Sequence, residues 1–369
     1  MYFKYQKWDS RFERHSDTSP FDTVMDLFQE LLTIASGEVS QALRWLTELD
    51  EEYHITDQFE NFSIGDFVEE LKERGYIEED RDQGMLVITR KTERSLRRRS
   101  LREIFDNLAK GAAGHHQTNH TGRGLERQPE TRNWQQGDDI ANIDSVGTMM
   151  NMLRHSNIDQ MNLHEDDLRV HNTDHYTSVA TVLLIDLSHS MILYGEDRIT
   201  PAKKVAMALS ELILNNYAND SLDIVAFGNE AWKVEIEDLP YLKVGPYHTN
   251  TQQALQLARY TLHRRKYANK QIFMITDGKP SCIIENGKIY KNSFGLDRKI
   301  VNKVLDEAVK CRRDNIDITT FMIARDPYLQ DFVRELSKAN KGRAYFASLD
   351  NLGGYIFEDY IRNRKRRVK

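Results

Sequence analysis

Five oxygen-bearing residues in three separated stretches have the right types to hold a hard metal ion. They are Asp186, Ser188 and Ser190 in IDLSHSM, Thr249 in PYHTNTQQAL and Asp277 in FMITDGKP. Carboxylates and hydroxyls without thiolate or imidazole suit Mg²⁺, with Mn²⁺ or Ca²⁺ as substitutes, and do not suit zinc or copper. Mg²⁺ keeps several waters, so the five groups need not all bind directly, and a water position can pass to a carboxylate from another molecule. Each residue alone has an ordinary explanation: Asp186 a helix cap, the serines a turn, Asp277-Gly278 a tight turn. His189 and His248 sit beside site residues and could act as a base in metal-assisted hydrolysis. His189, however, alternates with the serines and should point away from a metal.

The elements around these residues give the pattern its weight. VATVLLID is a continuous apolar run ending in Asp186, as a buried parallel strand should be. SLDIVAFG, KQIFMITDG and IDITTFMIA read as further buried strands. PAKKVAMALSELILNNY, opened by Pro201, reads as a helix, as do TQQALQLARYTLHRR, DRKIVNKVLDEAVKCRR and YLQDFVRELSKAN. Alternation of this kind predicts a doubly wound, Rossmann-like α/β sheet, whose ligands bind beyond the carboxyl ends of the strands. Asp186 and Asp277 both end strands at that edge, and Thr249 precedes a helix there.

Strand–DxSxS, a threonine six residues ahead of Leu255, and strand–TDG together resemble the metal-ion-dependent adhesion site of von Willebrand factor A (vWA) domains. The resemblance makes Asp186, Ser188, Ser190, Thr249 and Asp277 the five metal residues, with no position substituted. DRITPAKKVAMAL resembles the first helix of the bacterial intracellular branch, which includes MoxR-associated and CoxE-like proteins. RNWQQGDDIANID resembles an R-x-[YW]-x-x-GDD-x-x-x-ID element found ahead of the A-like domain in MoxR-associated proteins. The resemblance covers about 123–347. It implies a partner-binding rim around the metal, for which His189, Tyr194, Asp197, Arg198 and His248 are candidates. It also implies a MoxR-type AAA+ ATPase and a protein client as partners. The chain has no GxxxxGK[ST] loop, so ATP hydrolysis would fall to that partner.

Ahead of this half, residues 21–108 read as a small acidic module. FDTVMDLFQELLTIA places apolar residues at helical spacing, a second helix starts at Val39, and IGDFVEELKER forms a third that stops at Gly75. GYIEED and MLVIT read as a hairpin about Asp82-Gln83-Gly84, with a helix following over 93–108. Three helices, a hairpin and a helix resemble a winged-helix domain. Between Pro20 and Lys91 there are 18 acidic and six basic residues, and the helix that would read DNA carries Asp66, Glu69, Glu70 and Glu73. That charge opposes phosphate contact and argues against a nucleic-acid partner. The basic stretch Arg90–Arg102 and the tail Arg362–Lys369 read as a solvated helix face and a free end.

The division that results is a segment 1–20, the module 21–108, a linker and polar segment 109–178, the vWA-like domain 179–347, and a C-terminal helix with a basic tail over 348–369. His115, His116 and His120 lie in the linker without a second ligand pair, so zinc is not expected there. Asp138, Asp139 and Asp144 are expected to cap turns. Two cysteines, a net charge of −6, no signal-peptide pattern and no long apolar run suggest a cytoplasmic protein that is not membrane-bound. The functional expectation is a Mg²⁺-dependent binding adaptor and not an enzyme. A metal-dependent hydrolase and a DNA-binding regulator are the alternatives.

Overall fold

The computed structural model describes residues 19–59, 62–80, 84–111, 127–135, 143–154, 163–173, 178–292, 295–323, 326–347 and 351–364. The segment before Ser19, the linker histidines His115, His116 and His120, the pair Asp138 and Asp139, and the last five residues of the basic tail lie outside them. The chain divides into two compact units, one of residues 1–111 with 178–361 and one of 112–177 with 362–369.

The first unit begins with α1 (Pro20–Ile34), α2 (Val39–Tyr53), α3 (Ile64–Glu73), a hairpin of β1 (Ile77–Glu79) and β2 (Leu86–Ile88), and α4 (Arg90–Gly111). Ser19 caps α1 through Asp22 N–H, with Pro20 in the first turn. Ser63 and Asp66 form a reciprocal capping box on α3. Gly75 follows that helix at φ +68°, a left-handed conformation that glycine adopts without a Cβ penalty.

In the second unit β3 (Arg127–Asn133) pairs antiparallel with β4 (Arg169–Thr173), and α5 (Ser145–Met152) lies between them in sequence. Asp144 caps α5 by accepting from Val146 N–H. Polarity hides these elements from a hydrophobic-period reading, which shows 122–150 only as a turn-rich stretch.

The C-terminal part of the first unit is an α/β sheet: β5 (Val179–Asp186), α6 (Ile199–Asn216), β6 (Ser221–Phe227), β7 (Ala231–Val234), α7 (Thr251–His263), β8 (Asn269–Thr276), β9 (Cys282–Glu285), β10 (Lys288–Lys291), α8 (Arg298–Arg313), β11 (Ile316–Met322), α9 (Pro327–Asn340), β12 (Arg343–Phe346) and α10 (Leu352–Arg364). Six strands form one sheet in the order β12-β11-β8-β5-β6-β7, parallel throughout except for the antiparallel edge strand β7. β9 and β10 form a separate hairpin. Central β5 is buried along its whole length. Its alternate residues serve opposite faces: Leu183 and Ile185 pack toward α6, and Ala180, Val182 and Leu184 pack toward α7, α8 and α9.

The N-terminal helices share a core with the α6 face of this sheet, where Phe28, Leu32, Phe67 and Leu96 join Val205, Leu209 and Phe357. Charged groups line that contact. Glu211 on α6 is buried and accepts from Arg97 and Arg98 Nε, both at 3.3 Å. Lys204 pairs with Glu30 at 2.7 Å and Glu103 at 3.2 Å. Burial pushes the Glu30 pKa up, but Lys204 and Arg99 outweigh it and hold the carboxyl below its usual value. Fully buried Lys203 donates to the Thr33 carbonyl at 2.8 Å and to Ser36 Oγ at 3.0 Å, capping the end of α1. The solvated face expected of the basic stretch holds for Arg90, Lys91, Arg94 and Arg102, which are exposed, but not for the three arginines between them. Arg97, Arg98 and Arg99 are spent on acids of α6 and α1.

Candidate functional site

The carboxyl ends of β5 and β8 bring Asp186 and Asp277 together because the two strands are hydrogen-bonded neighbours in register. Three loops are then stitched beside them by backbone bonds. Leu187 N–H donates to the Phe227 carbonyl (2.9 Å), Gly245 N–H to the Leu187 carbonyl (3.2 Å) and His189 N–H to the Tyr247 carbonyl (3.1 Å). Asn250 N–H donates to the Gly228 carbonyl (2.8 Å), which fixes the entry to α7. Gly278 turns the chain after Asp277 at φ +90°, and a Cβ there would press on Met322 and Val333 at about 3 Å.

Asp186, Ser188, Thr249 and Asp277 are all buried, and Ser190 is half-buried. Asp186 accepts from Ser188 N–H (2.9 Å) and from the Thr276 hydroxyl (2.7 Å). Ser188 Oγ and Ser190 Oγ are 2.9 Å apart, and Ser190 bonds the Asp277 carboxylate. A continuous chain of polar groups thus links Asp186, Ser188, Ser190 and Asp277. Thr249 is held from the other side, its N–H donating to Ser281 Oγ at 2.8 Å. Thr276 and Ser281 are contributions that the motif alone does not single out. Thr276 immediately precedes Asp277, so its strand position carries the signal. Ser281 shows only once the loop is folded.

Burial and then the nearby Asp277 push the Asp186 pKa up to about 7. Burial also raises Asp277, with Ser190, the Lys279 N–H and the charges of Arg198 and Lys279 only partly offsetting it. Among the described residues no Lys, Arg or His forms an ion pair with either carboxylate. Two neighbouring buried acids whose nearby basic charges only partly offset burial are costly unless a cation joins them. Among the described residues no three His, Cys, Asp or Glu converge as a metal site would need, so the donor set here is two carboxylates with hydroxyls, oxygen alone. The residues present fit a hard divalent cation.

The expected rim residues divide. His189 is exposed and His248 half-buried, and neither imidazole hydrogen-bonds a hydroxyl of the site. Burial, then Lys291 and Lys279, lower the His248 pKa. Asp197 is exposed, but its Oδ1 caps α6 by accepting from Ile199 and Thr200 N–H. Arg198 turns inward, 9% exposed, and pairs with Glu196 at 2.9 Å. The Tyr194 side chain lies outside the described residues.

Comparison with known proteins bears on both units. Residues 179–361 match the family described as "Rv0959-like protein, vWA domain", and residues 126–173 match "Rv0959-like protein, third domain". Uncharacterized protein Rv0959 of Mycobacterium tuberculosis H37Rv is 30% identical over 292 residues, which is 77% of this chain and 43% of that protein. The chain thus spans less than half the length of this relative. Among solved structures, the pilus adhesin SpaC of Lactobacillus rhamnosus GG aligns over 52% of this chain and 31% of its own, at 16% identity and a TM-score of 0.42. BatB of Bacteroides thetaiotaomicron aligns over 51% of this chain and all of its own, at 15% identity and a TM-score of 0.39.

Proposed function

The chain is a vWA-domain protein of the Rv0959-like family, and we propose that it is an adaptor that grips a protein partner through one Mg²⁺. The observation that carries this reading is the buried pair Asp186 and Asp277, raised in pKa and without a basic side chain in ion-pair contact among the described residues. Asp186, Ser188, Ser190, Thr249 and Asp277 would hold the ion. The bound cation would supply positive charge and an exchangeable position for a partner carboxylate. The chain's own residues do the rest. Thr276 orients Asp186, Ser190 orients Asp277, and the backbone bonds among the three loops keep the hydroxyls in place before any partner arrives.

The motor of such an adaptor would be a MoxR-type AAA+ ATPase, with a protein client in maturation or remodelling. The RNWQQGDDIANID element and the missing phosphate loop support that choice. The N-terminal module, in its winged-helix-like order of elements, would serve docking and not DNA. Its arginines Arg97, Arg98 and Arg99 are already paired, and α3 remains acidic. Among the described residues no helix is long and apolar enough to cross a membrane. The test is association of the purified chain with the MoxR-type ATPase of its own source organism. Wild type should bind in Mg²⁺ and release in EDTA, and Asp186→Ala should bind in neither. Equal binding by Asp186→Ala with or without EDTA sinks the reading.

A further inference from the structure

The loop 245–250 brings Thr249 to the site, and hydrogen bonds tie it to a neighbour on each side. On one side Gly245 N–H donates to the Leu187 carbonyl and the Tyr247 carbonyl accepts from His189 N–H, so the loop is joined to the DxSxS segment. On the other side His248 N–H donates to Asn229 Oδ1 at 2.8 Å and Asn250 N–H donates to the Gly228 carbonyl at 2.8 Å. Those two bonds join the loop to the turn between β6 and β7. The backbone of Thr249 itself is fixed by residues 281 and 282. Its N–H donates to Ser281 Oγ, and its carbonyl accepts from the Ser281 and Cys282 N–H groups at 2.9 and 3.2 Å.

Between the two attachments sits the side chain of Tyr247. A Cβ on Gly228 would lie 2.7–2.8 Å from Tyr247 Cβ, Cγ and Cδ2, and a Cβ on Gly245 would collide with Cδ2, Cε2 and Cζ of the same ring. Neither glycine has a positive φ, so the tyrosine, and not the backbone conformation, leaves no room for a side chain at either position. The ring is 38% exposed, and Trp232 meets it at a steep angle with centroids 6.3 Å apart. Among the described residues its hydroxyl has no hydrogen-bond partner. The position thus uses the ring as a solid body. A ring that only shielded apolar surface would lie over the loop, whereas this one fills the space between two segments that hold it.

We propose that Tyr247 is a positioning residue that sets which cation the site accepts, favouring Mg²⁺ over Ca²⁺. The inference rests on the metal-grip reading and names the residue that gives that grip its selectivity. Mg²⁺ demands near-ideal octahedral geometry with oxygens at about 2.0–2.1 Å, whereas Ca²⁺ accepts flexible sites with oxygens at about 2.3–2.6 Å. Choice between the two ions therefore follows from how far the ligand loops can spread. The wedged ring holds the loop 245–250 against spreading, and through the His189 bond it holds the DxSxS segment with it.

The test titrates Mg²⁺ and Ca²⁺ separately into the full chain by calorimetry, with the metal-free melting temperature as the check on folding. Wild type should favour Mg²⁺. Tyr247→Ala should lose about tenfold in Mg²⁺ affinity and much less in Ca²⁺ affinity, so the preference collapses. Tyr247→Phe keeps the ring and should keep the preference. Gly245→Ala puts a methyl where the ring sits and should lower the preference as Tyr247→Ala does. Added to Tyr247→Ala it should change nothing further, because the ring it displaces is gone. A role in stability alone would lower the melting temperature and leave the ratio of the two affinities unmoved. That unmoved ratio in Tyr247→Ala, or in Gly245→Ala should Tyr247→Ala not fold, overturns the inference, as does a wild type without Mg²⁺ preference. Either result leaves the metal grip intact. A wild-type chain that takes up neither ion overturns the metal grip, and this inference with it.

Discussion

Two of the places where charge is buried among the described residues are solved differently. Where α4 and α1 pack on α6, every acid has a base: Glu211 takes Arg97 and Arg98, and Glu30 takes Lys204 and Arg99. Where β5 and β8 end, Asp186 and Asp277 share a buried site with hydroxyls and no base in ion-pair contact among the described residues. The first arrangement matches acid with base inside the chain and ties the N-terminal helices to the sheet domain. The second, on the proposed function, is completed by a cation from outside. The contrast separates structure from function more sharply than burial or charge does alone.

The comparison is sharpened by mutations whose signs should oppose. Glu211→Ala leaves two arginines facing a buried contact and should destabilise the chain by about 3 kcal/mol or more in urea unfolding, the scale for breaking a buried ion pair. Asp186→Asn removes like-charge repulsion at the same size, with its oxygen still accepting from Ser188 N–H and its NH2 now donating toward the Thr276 oxygen. It should raise metal-free stability by about 1–3 kcal/mol, as relief of a raised carboxyl pKa implies. A loss of stability in Asp186→Asn would break the comparison.

A pH effect follows from the same pair. The Asp186 pKa is raised in the fold, so its contribution to metal-free stability is full below the unfolded value of about 4 and is lost as pH rises through about 7. A cation competes with that proton. The rise in melting temperature produced by Mg²⁺ should therefore grow between about pH 6 and about pH 8. A pH-independent shift would remove Asp186 from the metal's ligands. The smallest effect is expected at the exposed end of the α6 contact. Lys243 pairs there with Glu38, and Lys243→Ala should change stability by about 0.5 kcal/mol or less.

Much of this was open to the sequence, for physical reasons. β5, β6, β8 and β11 are buried on both faces for much of their length, so they read as apolar runs. Edge strands β7 and β12 are four residues each and partly exposed, and AWKV and RAYF carry no period to detect. The hairpin after Asp277 did have a signal: Asn286-Gly287, both at positive φ, is the dipeptide that a tight hairpin turn prefers. The five candidate metal residues were legible because strand ends and motif spacing agree. Their positioning groups, Thr276 and Ser281, and the inward turn of Arg198 depend on loop contacts that spacing does not encode. The pairing of α4 with α6 was hidden for the same reason, since a basic run looks alike in solvent and against a buried glutamate.

The central claim is that the unpaired carboxylates exist to hold a cation, and calorimetric titration of Mg²⁺ into the full chain at about pH 8 tests it most directly. The account predicts uptake of one ion by wild type and none by Asp186→Asn or Asp277→Asn. Absence of uptake by wild type, or equal uptake by the two variants, would contradict it.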